Sequence, residues 1–250
     1  MTAPFVSTVP ARSAAALAVD LGSCTAGVWA THQGAVSGPS GDGGALVRRG
    51  RVVDFDGCVE LLTQLAQRYP QPVPAAAVAV ICRPVLATDS EQADMRRVVD
   101  AAFAPRRTLF IDTVRAAAIG SGAATGSLLV ADVGAQLTEV ALLKRGRVTE
   151  ARRRDIGTRD LGSGATIDLI TDVVAQHLDD LRAACPASDM QQATARGLLL
   201  VGDGATHPDL SSALAGTLKL RVHRAAAPRT AALDGAGIAA TSALRHPALA

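Results

Sequence analysis

The chain contains one short pattern twice, and this repeat constrains its fold more than any other feature. Residues 14–30 read AAALAVDLGSCTAGVWA and residues 127–143 read SLLVADVGAQLTEVALL. Each copy predicts an apolar strand, a turn that begins with Asp-x-Gly, and a second apolar strand. Asp20 and Asp132 hold matched positions that are 132 − 20 = 112 residues apart, a typical length for one domain. The repeat therefore predicts two similar domains.

The residue types at the two turns indicate how this pattern contacts a ligand. Glycine at a strand end lets the backbone approach a phosphate closely, and a neighbouring carboxylate can hold a metal ion. We therefore expect the two turns to face each other and to grip a nucleotide between the domains. The alternative interpretation is that Asp-x-Gly only makes a tight strand turn.

Composition excludes several classes of function. Hydrophobic residues make up 48% of the 250 residues, enough for a full core, while the formal charge is only +2. Because there is no long basic stripe and aromatic residues are only 2%, we expect no nucleic acid partner. The four cysteines share no metal-ligand or disulfide spacing, which favours a cytoplasmic location. No apolar run approaches the roughly 18 residues of a membrane span, so we expect membrane contact to be indirect.

Strands and helices are predicted in the same order in both halves of the chain. The predicted strands outside the two hairpins lie at 46–53, 75–84, 108–112, 147–152, 197–202 and 220–224, and the predicted helices at 56–69, 88–103, 114–122, 166–183, a segment around Leu210 and Leu214, and 229–240. Residues 31–44 are rich in Gly, Ser and Pro and predict a flexible loop. The predicted fold class is α/β with mixed sheets, with a first domain over 14–122 and a second over 123–245.

Five segments lie in the order found in the actin-like ATPase superfamily, which includes actin, DnaK-type chaperones and sugar kinases. They read VDLGSCTAGVW (19–29), FIDTVRAAAIGSG (110–122), ADVGAQLTEVALL (131–143), LLLVGDGATHPDL (198–210) and DGAGIAA (234–240). Within the superfamily the chain resembles the bacterial actin family MreB, to which RVVDFDGCVELL (51–62) and TDSEQADMRRVVDAA (88–102) are also similar. The resemblance implies two duplicated ribonuclease-H-like, actin-type domains with a cleft between them.

The chain is short for this family at two places. Only a loop and one strand fit between the first hairpin and the helix at 56–69, and about 14 residues separate the helix at 166–183 from the next strand. In MreB these places carry the two outer subdomains, so the chain resembles a reduced form that keeps only the two inner domains. Because the second outer subdomain supplies much of the adenine pocket in the family, we expect one wall of that pocket to be missing.

The resemblance implies ATP and Mg²⁺ as cofactors and gives roles to the matching residues. Asp20 and Asp132 are expected to orient waters on a Mg²⁺ that bridges the phosphates. The residues expected to hold the nucleotide are Gly22, Ser23, Thr25, Gly134, Thr138, Gly202, Gly204 and Gly235. The position that orients the attacking water falls on Thr113, with Asp112 beside it, where MreB carries Glu-Glu-Pro.

Several positions depart from the family pattern and predict a weakened site. The phosphate-2 loop of the family reads Asp-x-Gly-Gly-Gly-Thr-Thr, whereas Ala135, Gln136 and Leu137 replace two glycines and a threonine here. Asp203 adds a carboxylate near the expected phosphates. A threonine at position 113 is no base at neutral pH, and loss of a positioned base typically costs about 10²–10⁴-fold in rate. We therefore expect weak or lost ATP binding and inefficient hydrolysis, with the site in part a vestige.

The resemblance implies a role in cell-shape or cell-wall organisation through association with itself or with a full-length MreB-type protein. The alternative is a monomeric chaperone-like or scaffold ATPase of the PilM or DnaK type. A small-molecule kinase is disfavoured because no insertion is large enough to build a sugar pocket. We interpret His177 as a partly exposed helix residue and the run Arg152-Arg153-Arg154 as a solvated loop.

Overall fold

The computed structural model describes residues 15–41 and 46–246 of the chain. Its strands are β1 (Ala15–Leu21), β2 (Thr25–Ala30), β3 (Gly34–Pro39), β4 (Val47–Arg48), β5 (Arg51–Val52), β6 (Ala76–Arg83), β7 (Thr108–Asp112), β8 (Ser127–Val133), β9 (Thr138–Lys144), β10 (Arg147–Arg154), β11 (Leu198–Val201) and β12 (Val222–Arg224). Its α-helices are α1 (Phe55–Gln67), α2 (Asp89–Phe103), α3 (Thr113–Gly120), α4 (Ile167–Ala184), α5 (Ala187–Arg196), α6 (Leu210–Leu218) and α7 (Ala231–Leu244). The described part of the chain contains no helix that is both long enough and apolar enough to cross a membrane.

The two halves of the chain form two five-stranded sheets with the same topology. The strand orders are β3-β2-β1-β6-β7 and β10-β9-β8-β11-β12. In each sheet an antiparallel hairpin and its third strand lie on one side, and two parallel strands follow on the other. Parallel neighbours need helical crossovers, which α1, α2, α4 and α6 supply. The predicted α/β fold of two duplicated domains is confirmed.

Helices and sheets stack in five layers around three apolar clusters. Helices α1 and α2 cover the outer face of the first sheet, and α4, α5 and α6 cover the outer face of the second. Helices α3 and α7 fill the space between the two sheets with small side chains. A Cβ atom at Gly235 would lie only 1.8 Å from the Ala116 carbonyl oxygen, so glycine there lets α7 cross α3 in close contact.

The last helix packs against the sheet of the other half of the chain. The Cys82 thiol of β6 contacts the Ala232 carbonyl oxygen of α7 at 3.7 Å, and a Cβ at Gly237 would lie 2.5 Å from the Trp29 ring of β2. Sequence order puts α7 with the second domain, whereas its packing joins it to the first sheet. The domain limits 14–122 and 123–245 therefore describe the order along the chain, and α7 ties the two halves together.

Local capping signals set the helix starts. The side chain of Thr88 accepts a hydrogen bond from the Glu91 backbone N–H, and Glu91 accepts one from the Thr88 N–H, which completes the predicted capping box. Asp54 accepts a hydrogen bond from the Gly57 N–H at the start of α1. These bonds satisfy backbone donors that the first turn of a helix leaves unpaired.

Two predictions about the connecting segments are wrong. The predicted loop at 31–44 contains β3, an edge strand that pairs with β2 through backbone bonds although its Gly, Ser and Pro content predicts no strand. The predicted strand at 46–53 is a small hairpin of β4 and β5, and residues 42–45 lie outside the described part. The short segment between α4 and β11 folds as α5.

Two predictions about single residues are also wrong. His177 is buried, with 7% of its surface exposed, because α4 packs against β9 and β10. The arginine run at 152–154 belongs to strand β10, and the Arg153 side chain is only 9% exposed. Burial of these residues depends on the packing of one element on another, which their own sequence neighbours do not reveal.

Candidate functional site

Both repeated turns border one cleft between the two sheets, and both are closed by the same backbone bond. The Gly22 N–H donates to the Thr25 carbonyl at 3.0 Å, and the Gly134 N–H donates to the Leu137 carbonyl at 2.8 Å. The structure brings eight of the predicted site residues to the wall of this cleft: Asp20, Gly22, Ser23, Thr25, Thr113, Asp132, Gly134 and Gly202. The cavity inside has a volume of about 110 Å³.

The predicted catalytic pair is divided between two environments. Thr113 lies on the cleft wall as the first residue of α3, and its hydroxyl donates to the Arg83 carbonyl oxygen at 2.9 Å. Asp112 forms an ion pair with the Arg83 guanidinium, with 3.0 Å between Oδ1 and Nε. Asp112 borders a separate cavity beside β10 and not the cleft. Neither side chain presents a free general base to the cleft.

Three predicted nucleotide-binding residues have packing contacts in place of cleft contacts. The hydroxyl of Thr138 is buried and donates to the Ile156 carbonyl oxygen at 2.9 Å. A Cβ at Gly204 would lie 2.5 Å from the Val133 side chain. Gly235 lies at the α3–α7 crossing described above. Their role in nucleotide binding stays a prediction.

Two half-buried carboxyl groups, one from each repeat, line the cleft. Burial raises the pKa of Asp20 to about 6. Burial, and then the charges of Asp20 and Asp203, raise the pKa of Asp132 to about 7. Because desolvation disfavours the charged form, a cation or a proton at this position lowers the free energy of the folded protein.

A third carboxyl group, Glu139, belongs to the same cluster. It stands directly opposite Asp132 in the β8–β9 ladder, whereas the matched partner of Asp20 in the first hairpin is Gly27. Burial and the charge of Asp132 raise the pKa of Glu139 well above its ordinary value. Its Oε1 accepts a hydrogen bond from the Val85 N–H across the cleft. Counting the strand register back from the turn places Glu139 opposite Asp132, so the sequence carries a signal for this pair.

The glycine and the carboxylate after β11 both have structural explanations. Gly202 has φ +84°, and a Cβ there would lie 2.2 Å from Asp132 Oδ1, so glycine lets the turn after β11 approach the carboxylate. Asp203 accepts a hydrogen bond from Arg229 Nε at 2.7 Å, and both line the cleft. The cation of Arg229, which sequence reasoning missed, partly offsets the unfavourable charge that was expected at Asp203.

The donor set at the cleft suits a hydrated cation better than a directly ligated one. Among the described residues, no group of three or more His, Cys, Asp or Glu is arranged to hold a metal ion directly. Mg²⁺ retains several waters and commonly uses only one or two carboxylates, together with phosphates. Asp20 and Asp132 therefore fit the water-mediated role. A cavity of about 110 Å³ is small beside the roughly 300–1,000 Å³ of typical ligand pockets, so a whole nucleotide requires a wider cleft.

Two duplicated α/β domains, each with an Asp-x-Gly turn at a shared cleft, define the fold of the actin-like ATPase superfamily. Within it the resemblance to MreB is confirmed, since residues 46–164 match the family model of the MreB/Mbl protein. No curated protein sequence gives a significant match to the chain.

Solved structures agree with this fold over nearly the whole chain. MreB5 of Spiroplasma citri bound to ADP superposes with a TM-score of 0.78 at 13% identity, covering 93% of this chain and 98% of that one. The ethanolamine utilization protein EutJ from Carboxydothermus hydrogenoformans gives 0.67 at 17% identity, covering 92% and 91%. PilM in a PilM–PilN type IV pilus biogenesis complex gives 0.64 at 14% identity, covering 90% and 98%.

Proposed function

We propose that this protein is a reduced, MreB-type actin-like protein that acts by association and retains a weak nucleotide site with little hydrolysis. The observation that carries the proposal is the convergence of two Asp-x-Gly turns on one cleft whose water-orienting position is Thr113. The cleft supports ancestry from a nucleotide-binding protein, and the threonine argues against efficient turnover. The proposal includes a cytoplasmic location and a role in cell-shape or cell-wall organisation, which the MreB/Mbl match over 46–164 supports.

The nucleotide part of the proposal assigns tasks to this chain's own residues. The first turn offers hydroxyl donors at Ser23 and Thr25, and Asp20 with Asp132 can orient the waters of a bound Mg²⁺. Bound Mg²⁺ would neutralise phosphate charge. MreB5 of Spiroplasma citri has been crystallised with ADP and with AMPPNP, which supports a nucleotide as the ligand class.

The hydrolysis part of the proposal rests on what the cleft offers to an attacking water. The Thr113 hydroxyl donates a hydrogen bond to the Arg83 carbonyl oxygen, and a hydroxyl oxygen is too weak a base to take a proton from water. Asp112 is held by Arg83 outside the cleft. Glu139, which also lines the cleft, already accepts a hydrogen bond from the Val85 N–H through Oε1, which favours a positioning role. We therefore expect phosphate release far slower than in an enzyme with a positioned base.

The second candidate is a monomeric chaperone-like or scaffold ATPase of the PilM or DnaK type. It is favoured by the matches to EutJ and PilM, each of which covers at least 90% of this chain. PilM was solved in a complex with PilN, which makes binding of another protein the property to test. In this alternative the protein binds a different partner and does not associate with itself or with a full-length MreB-type protein.

Sedimentation with and without Mg-ATP separates the two candidates. Nucleotide-dependent pelleting, alone or with a full-length MreB-type protein, supports the actin-like proposal. A protein that stays in the supernatant as a monomer and releases phosphate steadily supports the scaffold ATPase. Rapid phosphate release that survives Thr113→Ala but is lost in Asp112→Asn would contradict the assignment of the water position.

A further inference from the structure

A small hairpin crosses from the first domain to the second at the mouth of the cleft. We call residues 46–53, which comprise β4, β5 and the turn between them, the strap. Its two turn residues are Arg49 at φ +53° and Gly50 at φ +75°, the left-handed conformation of a tight two-residue hairpin. This conformation is uncommon for arginine, so the surroundings of Arg49 must hold it there.

Both terminal guanidinium nitrogens and both polar backbone atoms of Arg49 bond to the second domain. The two terminal guanidinium nitrogens donate to the two carboxylate oxygens of Asp160 at 2.8 and 2.9 Å. The backbone N–H of Arg49 donates to Gln136 Oε1 at 3.0 Å, and its guanidinium also donates to the Gln136 carbonyl at 2.9 Å. The Arg49 carbonyl accepts from Arg153 Nη2 at 2.8 Å. These bonds join residues that are 87 to 111 positions apart in the chain.

The ion pair between Arg49 and Asp160 is partly shielded from water, which strengthens its hydrogen bonds. The Arg49 and Asp160 side chains are only 25% and 24% exposed, and a two-pronged guanidinium–carboxylate pair is among the stronger hydrogen-bonded geometries. Burial acts to raise the pKa of Asp160, but hydrogen bonds from Arg49 and from the Gly157 N–H outweigh it and lower that pKa. A Cβ at Gly50 would lie 2.8 Å from both Pro84 and Leu137, so the turn is wedged between the domains.

The strap also explains the bulky second turn. Gln136 lines the cleft, and both its side-chain oxygen and its carbonyl oxygen are engaged by Arg49. Phosphates that approach the backbone of the second turn meet this side chain first. The strap therefore also explains the narrow cavity, because it holds the second turn against the first domain.

We propose that the strap is an interdomain clasp that holds the cleft closed in the ligand-free protein and must release Gln136 before a nucleotide can occupy the second turn. The part of this proposal that concerns a nucleotide rests on the proposed function above, whereas the part that concerns closure of the cleft does not. The clasp explains a weak apparent affinity for nucleotide. If the open, binding-competent cleft is rarely populated, the apparent affinity falls in proportion to its population.

Hydrogen exchange on the ligand-free protein tests the clasp directly. Arg49→Asn removes the guanidinium while keeping a residue that tolerates the left-handed conformation, and Asp160→Asn weakens the same pair from the other domain. The matched control is Arg97→Asn, since Arg97 pairs only with Asp94 of its own helix among the salt bridges of the described chain. We expect exchange over 46–53 and 134–137 to rise about tenfold in both clasp variants and to stay unchanged in the control.

Calorimetric titration with Mg-ADP tests the release step. Both clasp variants are expected to bind Mg-ADP about tenfold more tightly than the unmodified protein, because the cost of opening has been removed. Unchanged protection of β6 and β11 shows that the variants are folded. Unchanged exchange at the strap, or Mg-ADP affinity that is equal or weaker, would overturn the clasp. If none of the proteins binds Mg-ADP, the proposed nucleotide function fails, and the exchange result alone decides whether the strap closes the cleft.

Discussion

The two Asp-x-Gly turns have the same backbone bond but different surroundings. The first turn is braced from its own domain, where Ser40 donates through Oγ to the Gly22 carbonyl at 2.6 Å and through its N–H to the Cys24 carbonyl at 2.9 Å. The second turn is held by its own domain, where the Thr158 N–H donates to the Gly134 carbonyl at 3.0 Å, and also by the strap of the other domain. A repeated local pattern reproduces the turn, but it does not reproduce the contacts around it.

The same contrast holds for the carboxyl groups beside the turns. Asp20 faces Gly27 across its hairpin, and a Cβ at Gly27 would meet Leu233 of α7 at 2.5 Å. Asp132 faces the buried Glu139, so two acidic groups share the second hairpin. The second repeat therefore has both the bulkier turn and the stronger repulsion between carboxylates. This difference arises at positions that the shared Asp-x-Gly motif does not specify.

The largest expected effect is the loss of support under the second turn. A Cβ at Gly157 would lie 2.5 Å from the Gly134 carbonyl oxygen and from the Gln136 nitrogen, which are backbone atoms that cannot yield easily. Gly157→Ala is expected to lower the free energy of unfolding by about 3 kcal/mol. The matched control is Gly216→Ala in α6, where no atom lies within 4 Å and alanine favours the helix. Urea denaturation measures both, and equal stabilities would show that the turn does not depend on this contact.

A smaller stabilising effect is expected from Asp132→Asn at pH 8. The folded protein holds the Asp132 proton up to about pH 7, whereas the unfolded chain releases it near its ordinary value of 3.8. The folded state thus binds more protons between these values, so stability falls as pH rises through this window. Removing the charge should stabilise the protein by about 2 kcal/mol at pH 8 and by little at pH 5.

Thermal melts at pH 5, 6, 7 and 8 check this expectation, with Asp172→Asn, at an exposed position of α4, as the control. Asp20→Asn is expected to give a smaller gain, because burial raises the pKa of Asp20 only to about 6. A lower melting temperature for Asp132→Asn at pH 8 would show that a favourable partner already compensates the carboxylate. A larger gain for Asp20→Asn would reverse the proposed order of the two repeats.

The third prediction makes the second turn resemble the first by replacing Gln136 with glycine. A site with a dissociation constant near 100 μM, offered about 1 mM Mg-ATP, stabilises a protein by about 1.4 kcal/mol, which raises its melting temperature by about 2–4 °C per kcal/mol. We expect the unmodified protein to shift well below this and Gln136→Gly to approach it. A full shift in the unmodified protein would mean that the bulky turn does not limit binding.

The smallest expected effect concerns the support of the first turn. Ser40→Ala leaves the Gly22 carbonyl without its hydroxyl donor in a buried position. The expected loss is about 1 kcal/mol by chemical denaturation. Ser242→Ala is the control, since its hydroxyl bonds to the Ile238 carbonyl on the exposed side of α7. A loss as large as that of Gly157→Ala would indicate that the two turns are equally dependent on their braces.

Interactions between close sequence neighbours made much of this protein predictable. Apolar runs predict strands β6 and β7, the Thr88–Glu91 capping box predicts the start of α2, and the repeated Asp-x-Gly pattern predicts the two matched hairpins. Burial and hydrogen bonding within a few residues leave a periodic signal, which the sequence carries openly. Eight predicted residues lie at one cleft because the duplication brings the equivalent strand ends of the two domains together.

Tertiary structure decided the contacts that join distant segments. Strand β3 pairs with β2 through backbone bonds, and α7 covers the sheet of the other half. The burial of His177 and the Arg49–Gln136 contact depend on how whole elements face one another. By itself the sequence determined two repeated domains with a shared cleft. Only the packing of one domain on the other decided how far that cleft is closed, because the responsible bonds join residues 87 to 111 positions apart and leave no local pattern.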